Sequence, residues 1–227
     1  MEDGKKMIKL NILYEDNHII VVEKPFNVLS QADNTGDVDM LTLVKKYIKE
    51  KYNKPGNVYL GLVHRLDRPV GGVMVFAKTS KAASRLSDQI RKNEFDKTYL
   101  AVVHGIIKEK EGTFKDYLKK NSDGNTVVTN EKNGKLSILH YKVLDINKEK
   151  NETLVKIKLE TGRHHQIRVQ FSSRGYPLCG DQRYGKMDNT QIALYACKLE
   201  FIHPVKREKI SFSLCKPNLQ YFNDFNS

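Results

Sequence analysis

The sequence has only three cysteines, Cys179, Cys197 and Cys215, and they stand far apart. It has no C-x-x-C motif and no Cys/His cluster at zinc spacing. Scattered cysteines in odd number are typical of reduced thiols, so we predict a cytoplasmic protein. The only histidine pair is His164-His165, and adjacent side chains diverge on a regular element. We therefore expect no metal site.

Long apolar runs and nucleotide-binding glycine loops are also missing. No run approaches the ~18 residues of a membrane span, and the first ten residues, MEDGKKMIKL, lack the apolar core of an export signal. No phosphate-binding loop, dinucleotide fingerprint or G-x-S-x-G elbow is present. What remains is the composition of a globular protein of 227 residues, long enough for a sizeable core.

Acidic residues are few compared with basic ones. Lys plus Arg number 39 and Asp plus Glu 27, which gives a net charge of +12. Such an excess favours a polyanionic partner, nucleic acid before an anionic membrane, although a lysine-rich solvated surface explains it equally well. There is no basic amphipathic helix with Trp or Phe on its apolar face, so we expect no membrane partner.

The pattern of apolar residues predicts many strands and few helices. Asp39 is a candidate N-cap for a helix that ends near Tyr52, and Thr79 for one over 80–92. A short helix follows near Ile167 and Phe171. Without regular βα alternation, this order predicts one α+β domain around a largely antiparallel or mixed sheet, with a possible break at 121–134. The predicted strands are 19–22, 73–77, 97–103, 127–129, 136–146, 153–160, 192–201 and 210–214.

A dense charged stretch, HRLDR at 64–68, comes directly before the apolar strand 73–77. A plain turn would use Asn, Ser or Gly here. Asp67 lies between Arg65 and Arg68, which predicts a carboxylate kept ionised by neighbouring cations. An exposed charged β-turn is an equally good explanation of this stretch taken alone.

A second dense stretch, TGRHHQIR at 161–168, also follows a predicted strand. An arginine from it, Arg163 or Arg168, could reach Asp67 and hold the carboxylate by a two-pronged hydrogen bond. A carboxylate held in this way can act as a nucleophile or an electrostatic stabiliser. Tyr99, on the strand after Lys97, is either part of the core or a ring that stacks on a base.

These stretches belong to a longer series of motifs. It reads YEDNHIIVVEKP, HRLD with two glycines after it, K-x-Y, TGR-x-HQIR, GD-x-x-YG and LYACKLEFIHP. In this order the series resembles the RluA-type family of RNA pseudouridine synthases, from about Leu13 to Pro204. The resemblance implies isomerisation of uridine in RNA to pseudouridine, without cofactor or metal.

The resemblance also implies roles for particular residues. Asp67 would be the nucleophile, Arg168 its partner, and Tyr99 the ring that stacks on the target base and assists proton removal. Arg65 would help displace the base from its helix. The residues expected to bind substrate are Arg65, His64, Arg163, Gln166 and Leu194, the last as an apolar contact in the pocket.

The fold implied is the pseudouridine synthase fold, a central mixed, mostly antiparallel sheet with helices and loops around a cleft. About a dozen residues precede the first motif, so we expect one catalytic domain over 1–227 and no N-terminal S4 domain. The catalytic domain would then have to bind the RNA without the help of another domain. The expected partner is rRNA or tRNA, and the expected state is a monomer.

Three positions depart from the family's usual pattern. Residues 68–72 read RPVGG, without the usual hydroxyl, so glycine and proline are expected to set the shape of the loop. His164 stands where the family has Thr or Ser, and Tyr195 where it has His. Each change is expected to affect substrate choice.

Two other functions remain open from the sequence. One is an inactive RNA-binding protein or RNA chaperone of the same fold, against which the presence of Asp67, Tyr99 and Arg168 argues. The other is a hydrolase that cleaves a base or sugar bond, which generally needs a second acid. Asp181 is the one candidate for that acid, and we expect it to order its own loop.

Overall fold

One mixed sheet of eleven strands organises the residues that the computed structural model describes, 8–187 and 189–225. Four helices accompany it: α1 Met40–Lys51, α2 Ser80–Arg91, α3 Gln166–Ser172 and α4 Gln220–Asn223. The strands are β1 Asn11–Glu15, β2 Ile19–Lys24, β3 Gly61–Leu62, β4 Gly71–Ala77, β5 Asp96–His104, β6 Glu111–Lys120, β7 Thr126–Thr129, β8 Lys135–Asn147, β9 Glu152–Leu159, β10 Leu194–Ile202 and β11 Lys209–Ser213.

The strand order is β1-β2-β4-β10-β5-β9-β8-β6-β7, with β3 beside β4 and β11 beside β10. Among the described residues, the only parallel pair is β4 with β10. The predicted α+β class with a mixed, mostly antiparallel sheet is confirmed. None of the described helices is long and apolar enough to cross a membrane.

Strand β4 explains the unbroken apolar run at 73–77. Met74 and Phe76 enter one hydrophobic cluster, while Val73 and Val75 enter another, so both faces of the strand are covered. Its start lies very close to β10, because a Cβ on Gly72 would stand 2.2 Å from the carbonyl oxygen of Ala196. Only glycine permits this approach, which brings the loop before β4 next to β10.

Both predicted helix caps are confirmed. The carboxylate of Asp39 accepts the backbone N–H of Thr42 at 3.0 Å, and the hydroxyl of Thr79 accepts that of Ala82 at 3.2 Å. Each bond satisfies a backbone donor that the first helical turn leaves without a partner.

Strand β6 is absent from the predicted strands. In the structure β6 pairs with β8 from Glu111↔Lys142 to Leu118↔Lys135, and then with β7. The strand is largely polar and has only two buried apolar side chains, Phe114 and Leu118, so its period-2 signal was weak. Residues 121–134 form strand β7 and its flanking turns within this continuous sheet rather than a boundary between two halves.

Candidate active site

The loop 63–70 carries Asp67 from β3 to β4 and closes with a tight turn. The backbone N–H of Val70 donates to the carbonyl of Asp67 at 3.0 Å. Just before the turn, the Ser30 hydroxyl accepts from the N–H of Leu66 at 3.1 Å and donates to its carbonyl at 2.7 Å. Ser30 thus supplies, from a distant segment, a hydroxyl that supports the loop in addition to its proline and glycines.

Lys24, at the end of β2, supports the other side of the turn. Its side chain is fully buried, and its ammonium donates to the carbonyls of Pro25 at 3.0 Å, Arg68 at 3.0 Å and Val70 at 2.6 Å. Burial lowers the pKa of Lys24 to about 7, and the charge of Asp67 partly opposes that shift. The sequence patterns did not predict this role, although a lysine that ends the apolar strand IIVVEK was the available signal.

The Asp67 carboxylate lies at the surface of a cavity and has few contacts. Its side chain is 29% exposed, and its Oδ2 lies 3.5 Å from Nη1 of Arg168 and 3.6 Å from Nε2 of His165. Its neighbours in sequence do not supply the cation that we expected from them, because Arg68 pairs with Asp37 at 2.6 Å. The contacting cation is Arg168, 101 residues further along the chain.

Arg168 makes its two-pronged bond to Asp181, not to Asp67 as predicted. Its Nε and Nη2 donate to Oδ2 and Oδ1 of Asp181 at 2.8 and 2.7 Å, which leaves Nη1 to face Asp67. Burial alone would raise the pKa of Asp181, but bonds from Arg168 and from the backbone N–H groups of Arg183 and Tyr184 hold it below its usual value. These backbone bonds confirm that Asp181 orders its own loop.

His165 is a second neighbour of Asp67 that the sequence patterns missed. Its Nδ1 lies 2.7 Å from the Tyr184 hydroxyl, which itself accepts the N–H of Thr126 at 2.8 Å. Burial lowers the pKa of His165 to about 3, and the charge of Arg168 acts in the same direction, so the ring is neutral. Since the Tyr184 proton is available to Nδ1, we infer that the imidazole proton lies on Nε2 and faces Asp67.

The two adjacent histidine rings do not diverge. His164 stacks on His165 with ring centroids 3.7 Å apart, and its Nδ1 lies 2.8 Å from the Thr126 hydroxyl. The pair sits before α3 rather than within it, and His165 has a left-handed backbone with φ of 52°. That conformation, and not the geometry of a regular element, turns one ring over the other.

Asp67 stands where two cavities meet. A cleft of about 1210 Å³ and an inner pocket of about 310 Å³ both have Asp67, His165 and Arg168 in their walls. Tyr99 lies in the inner pocket, where burial and then the charge of Asp67 raise the pKa of its phenol, so the ring is neutral. The apolar wall of that pocket includes Val70, Tyr99, Leu159, Ile167 and Leu194.

The geometry agrees with similarity to known proteins. The family model for RNA pseudouridylate synthase matches residues 18–173. The chain belongs to this family. It is 35% identical over 205 residues to the uncharacterized RNA pseudouridine synthase YhcT of Bacillus subtilis, which covers 89% of this chain and 67% of that protein.

One further relative supports the same assignment, and one solved structure shares the fold. The chain is 33% identical over 233 residues to ribosomal large subunit pseudouridine synthase C of Buchnera aphidicola, covering 92% of this chain and 70% of that protein. The solved structure of human RNA pseudouridylate synthase domain containing 4 shares the fold, with a TM-score of 0.78 at 21% identity, over 94% of this chain and 90% of that one. The expected isomerase acting on RNA is thus confirmed at the level of the family.

All five predicted substrate-binding residues of this synthase lie on cavity walls. Arg65 borders both the cleft and the inner pocket. Arg163 borders the inner pocket, and its Nε donates to the carbonyl of Leu136 at 3.0 Å. Leu194 lies on β10 and is 4% exposed.

The other two, His64 and Gln166, border the inner pocket of the synthase but use their polar atoms within the protein. Nε2 of His64 accepts the N–H of Val75 at 3.0 Å, and burial lowers the pKa of His64 to about 3. The amide oxygen of Gln166 accepts from Arg163 N–H and the Thr161 hydroxyl, both at 2.9 Å, and its nitrogen donates to a backbone carbonyl. Both side chains thus support the loops that carry the site.

Proposed function

We propose that the enzyme isomerises a uridine in RNA to pseudouridine with Asp67 as the anionic nucleophile. The observation that carries this proposal is the position of the Asp67 carboxylate. It lies where the large cleft opens into the inner pocket, is 29% exposed, and has the buried Arg168 beside it. A carboxylate with few protein contacts, at the mouth of a mostly apolar pocket, is available to a reacting nucleotide.

The inner pocket is the proposed site of the uracil ring. Tyr99 presents a neutral ring for stacking, and Leu194 packs against the base from the neighbouring strand. A paired uridine would have to leave its helix to reach this pocket, which costs a few kcal/mol of stacking. Arg65, at the border between the two cavities, is positioned to take the space that the base vacates.

The chemistry needs only one carboxylate. The N1–C1′ bond breaks, the uracil turns, a C5–C1′ bond forms, the hydrogen on C5 leaves as a proton, and N1 takes up a proton from solvent. Water does not attack and the base is retained, in contrast to glycosidases, which generally use two carboxylates. Asp181 is unsuited to the role of second acid, because its side chain is 0% exposed and both of its oxygens accept from Arg168. This favours the isomerase over a hydrolase.

We further propose ribosomal RNA of the large subunit as the substrate. The support is the name of the Buchnera relative, a ribosomal large subunit pseudouridine synthase. The net charge of +12 suits a polyanion of this kind. Mapping of pseudouridine across cellular RNA, with and without the gene, would distinguish this substrate from transfer RNA.

The experiment that tests the catalytic proposal measures tritium release. RNA is labelled at C5 of uridine in cells that lack the gene, so that it contains the true target. The wild-type enzyme should release tritium to water, and Asp67→Asn should release none while it still binds this RNA. Asp37→Asn is the matched control, since Asp37 pairs with Arg68 beside the same loop and should leave release unchanged.

Each other outcome points to another function. Release by Asp67→Asn at the wild-type rate would refute the nucleophile. RNA binding without release by either protein would indicate an inactive RNA-binding protein. Free uracil with abasic sites would indicate a hydrolase.

A further inference from the structure

A second cluster of chemically reactive side chains is formed by His104, Glu152 and Cys179. His104 and Glu152 are direct cross-strand partners on β5 and β9, and Cys179 lies in the loop after α3. Cys179 Sγ lies 3.5 Å from Nδ1 of His104 and 3.6 Å from Oε1 of Glu152, and the last two atoms are 3.9 Å apart. Thiolate, imidazole and carboxylate are the three side-chain donors that zinc uses in proteins.

The spacing of these atoms fits one ion, in a geometry flatter than an ideal tetrahedron. A point equidistant from the three donors lies about 2.1 Å from each, which is close to Zn–N and Zn–O distances and slightly shorter than Zn–S. An ion slightly out of the plane of the donors would satisfy all three lengths. Its fourth position would then point away from them and could hold a water molecule.

The backbone holds the cluster in place. The N–H of Cys179 donates to the carbonyl of Val102 at 2.9 Å, and the N–H of His104 donates to that of Pro177 at 2.9 Å. The carbonyl of Cys179 accepts the N–H of Ala193 at 2.8 Å. The backbone that carries these donors is therefore already fixed by hydrogen bonds. Little conformational entropy would be lost when an ion binds.

A separate observation fits a bound cation. The Glu152 side chain is 6% exposed, and its Oε2 has no hydrogen-bond partner among the described residues. The Cys179 thiol can donate to Oε1, but a thiol is a weak donor and leaves Oε2 unsatisfied. A buried carboxylate oxygen in this state is costly, and a bound divalent ion would compensate its charge.

We propose that His104, Glu152 and Cys179 bind one Zn²⁺ ion. The thiol loses its proton to solvent as the Zn–S bond forms, and His104, whose side chain is 25% exposed, provides the route of entry. The ion would join the ends of β5 and β9 to the loop that also carries Asp181, two residues beyond Cys179. This contradicts our expectation of no metal site, which rested on spacing, because these ligands lie 27 and 75 residues from the cysteine.

The test uses the full chain, stripped of metal with a chelator and titrated with Co²⁺ as a spectroscopic probe. The wild-type protein should bind one equivalent and show a thiolate-to-cobalt charge-transfer band, which Zn²⁺ then displaces. Cys179→Ser should lose the band and bind at least about tenfold more weakly. Cys215→Ser is the matched control, since Cys215 is exposed and outside the cluster, and it should retain the band.

A second variant covers the case in which Cys179→Ser does not fold. Glu152→Gln keeps the thiol and the shape but removes the charge, so Zn²⁺ should raise the Tm of the wild-type protein and of Cys215→Ser but not that of Glu152→Gln. A wild-type protein without the charge-transfer band would overturn the proposal. So would a band that persists in Cys179→Ser, or an equal Tm shift in Glu152→Gln. Neither the cobalt titration nor the Tm measurement depends on pseudouridine formation. A negative result for the zinc site would therefore leave the proposed function untouched, and the reverse also holds.

Discussion

Two loops meet at Arg168, and each brings one aspartate to it. Asp67, on loop 63–70, is 29% exposed and has a single long contact with the guanidinium, at 3.5 Å. Asp181, on loop 177–185, is 0% exposed and accepts bonds from Arg168 and from two backbone N–H groups. One cation thus serves two carboxylates in opposite environments.

The difference separates a positioning group from a reacting group. Every strong acceptor direction of Asp181 is used by the protein, so it can fix Arg168 but cannot meet a substrate. Asp67 keeps most of its acceptor directions available, and the same arginine supplies a charge beside it. Removal of the buried partner should therefore affect the fold, and removal of the exposed one should affect only the chemistry.

The largest effect should come from Asp67→Asn. Turnover should fall at least a thousandfold, about 4 kcal/mol of barrier, because an amide cannot act as an anionic nucleophile. The urea midpoint should stay close to that of the wild-type enzyme. Single-turnover tritium release and urea unfolding measure the two quantities, and a large loss of stability would mean that Asp67 is structural.

Asp181→Asn should have the opposite pattern, with a large loss of stability. It leaves the Arg168 charge buried without compensation, which typically costs about 3–5 kcal/mol of unfolding free energy. Turnover should also fall, because Arg168 loses its orientation. Urea unfolding measures the cost, and a variant as stable as the wild-type enzyme would contradict the supporting role of this pair.

Arg168→Lys should reduce turnover by about a hundredfold, with RNA affinity little changed. A lysine keeps the charge but cannot hold Asp181 with two prongs and face Asp67 at once. Arg174→Lys is the matched control. Arg174 makes a similar two-pronged bond to Asp116, at 2.9 and 3.1 Å, and this pair lies away from Asp67. Equal turnover in the two variants would show that the geometry at Arg168 is not required.

The two loops should also differ in their response to pH. Lys24 supports the Asp67 loop, and its folded pKa of about 7 is below its unfolded value. Between these values the unfolded chain binds more protons, so this group's contribution to stability rises with pH, by up to ~1.4 kcal/mol per unit. Below pH 7 both states are protonated and the penalty of the buried charge is fully present.

Urea unfolding from pH 7 to 9 measures this slope as a difference between the wild-type enzyme and Lys24→Met. The wild-type enzyme should gain stability relative to the variant as pH rises. Lys49→Met, on the exposed side of α1, is the control and should show no such trend. A constant difference between the wild-type enzyme and Lys24→Met would contradict the titration of a buried amine.

The smallest effects should come from the cations that the two loops contribute to the cleft, Arg65 and Arg183. RNA affinity should fall linearly on a log–log salt plot, and Arg183→Gln should reduce the slope by about one phosphate contact. Arg65→Gln should lower turnover more than affinity if it assists displacement of the base. Filter binding at several salt concentrations measures the slope and the affinities, and single-turnover tritium release measures the turnover of Arg65→Gln. A flat salt response of the wild-type enzyme would refute electrostatic binding of the RNA.

Local signals in the sequence predicted much of this molecule. The caps Asp39 and Thr79 act within three residues of their partners, so the sequence contains both members of each bond. The run 73–77 is apolar because both faces of β4 are covered. Strand β6 gave no such local signal, because a half-exposed hairpin strand with two buried side chains has almost no hydrophobic periodicity.

The sequence motifs predicted which residues form the site, but not which hydrogen bonds these residues make. The order of the motifs identified the family, and the same motifs named Asp67 and Arg168. They did not predict that Asp181 takes the two-pronged bond, or that Ser30 and Lys24 hold the turn. These partners lie 13 to 46 residues apart in sequence.

Sequence patterns thus predicted three of the four described helices, most strands, the family and the candidate acid, but not α4. Each of these depends on residues that are near neighbours along the chain or on a motif order that is read directly. Only the tertiary structure decided which carboxylate is buried, which arginine edge faces Asp67, and that His104, Glu152 and Cys179 meet. Those outcomes depend on strand register and on the parallel pairing of β4 with β10. Both bring together side chains whose separation in sequence carries no distance information.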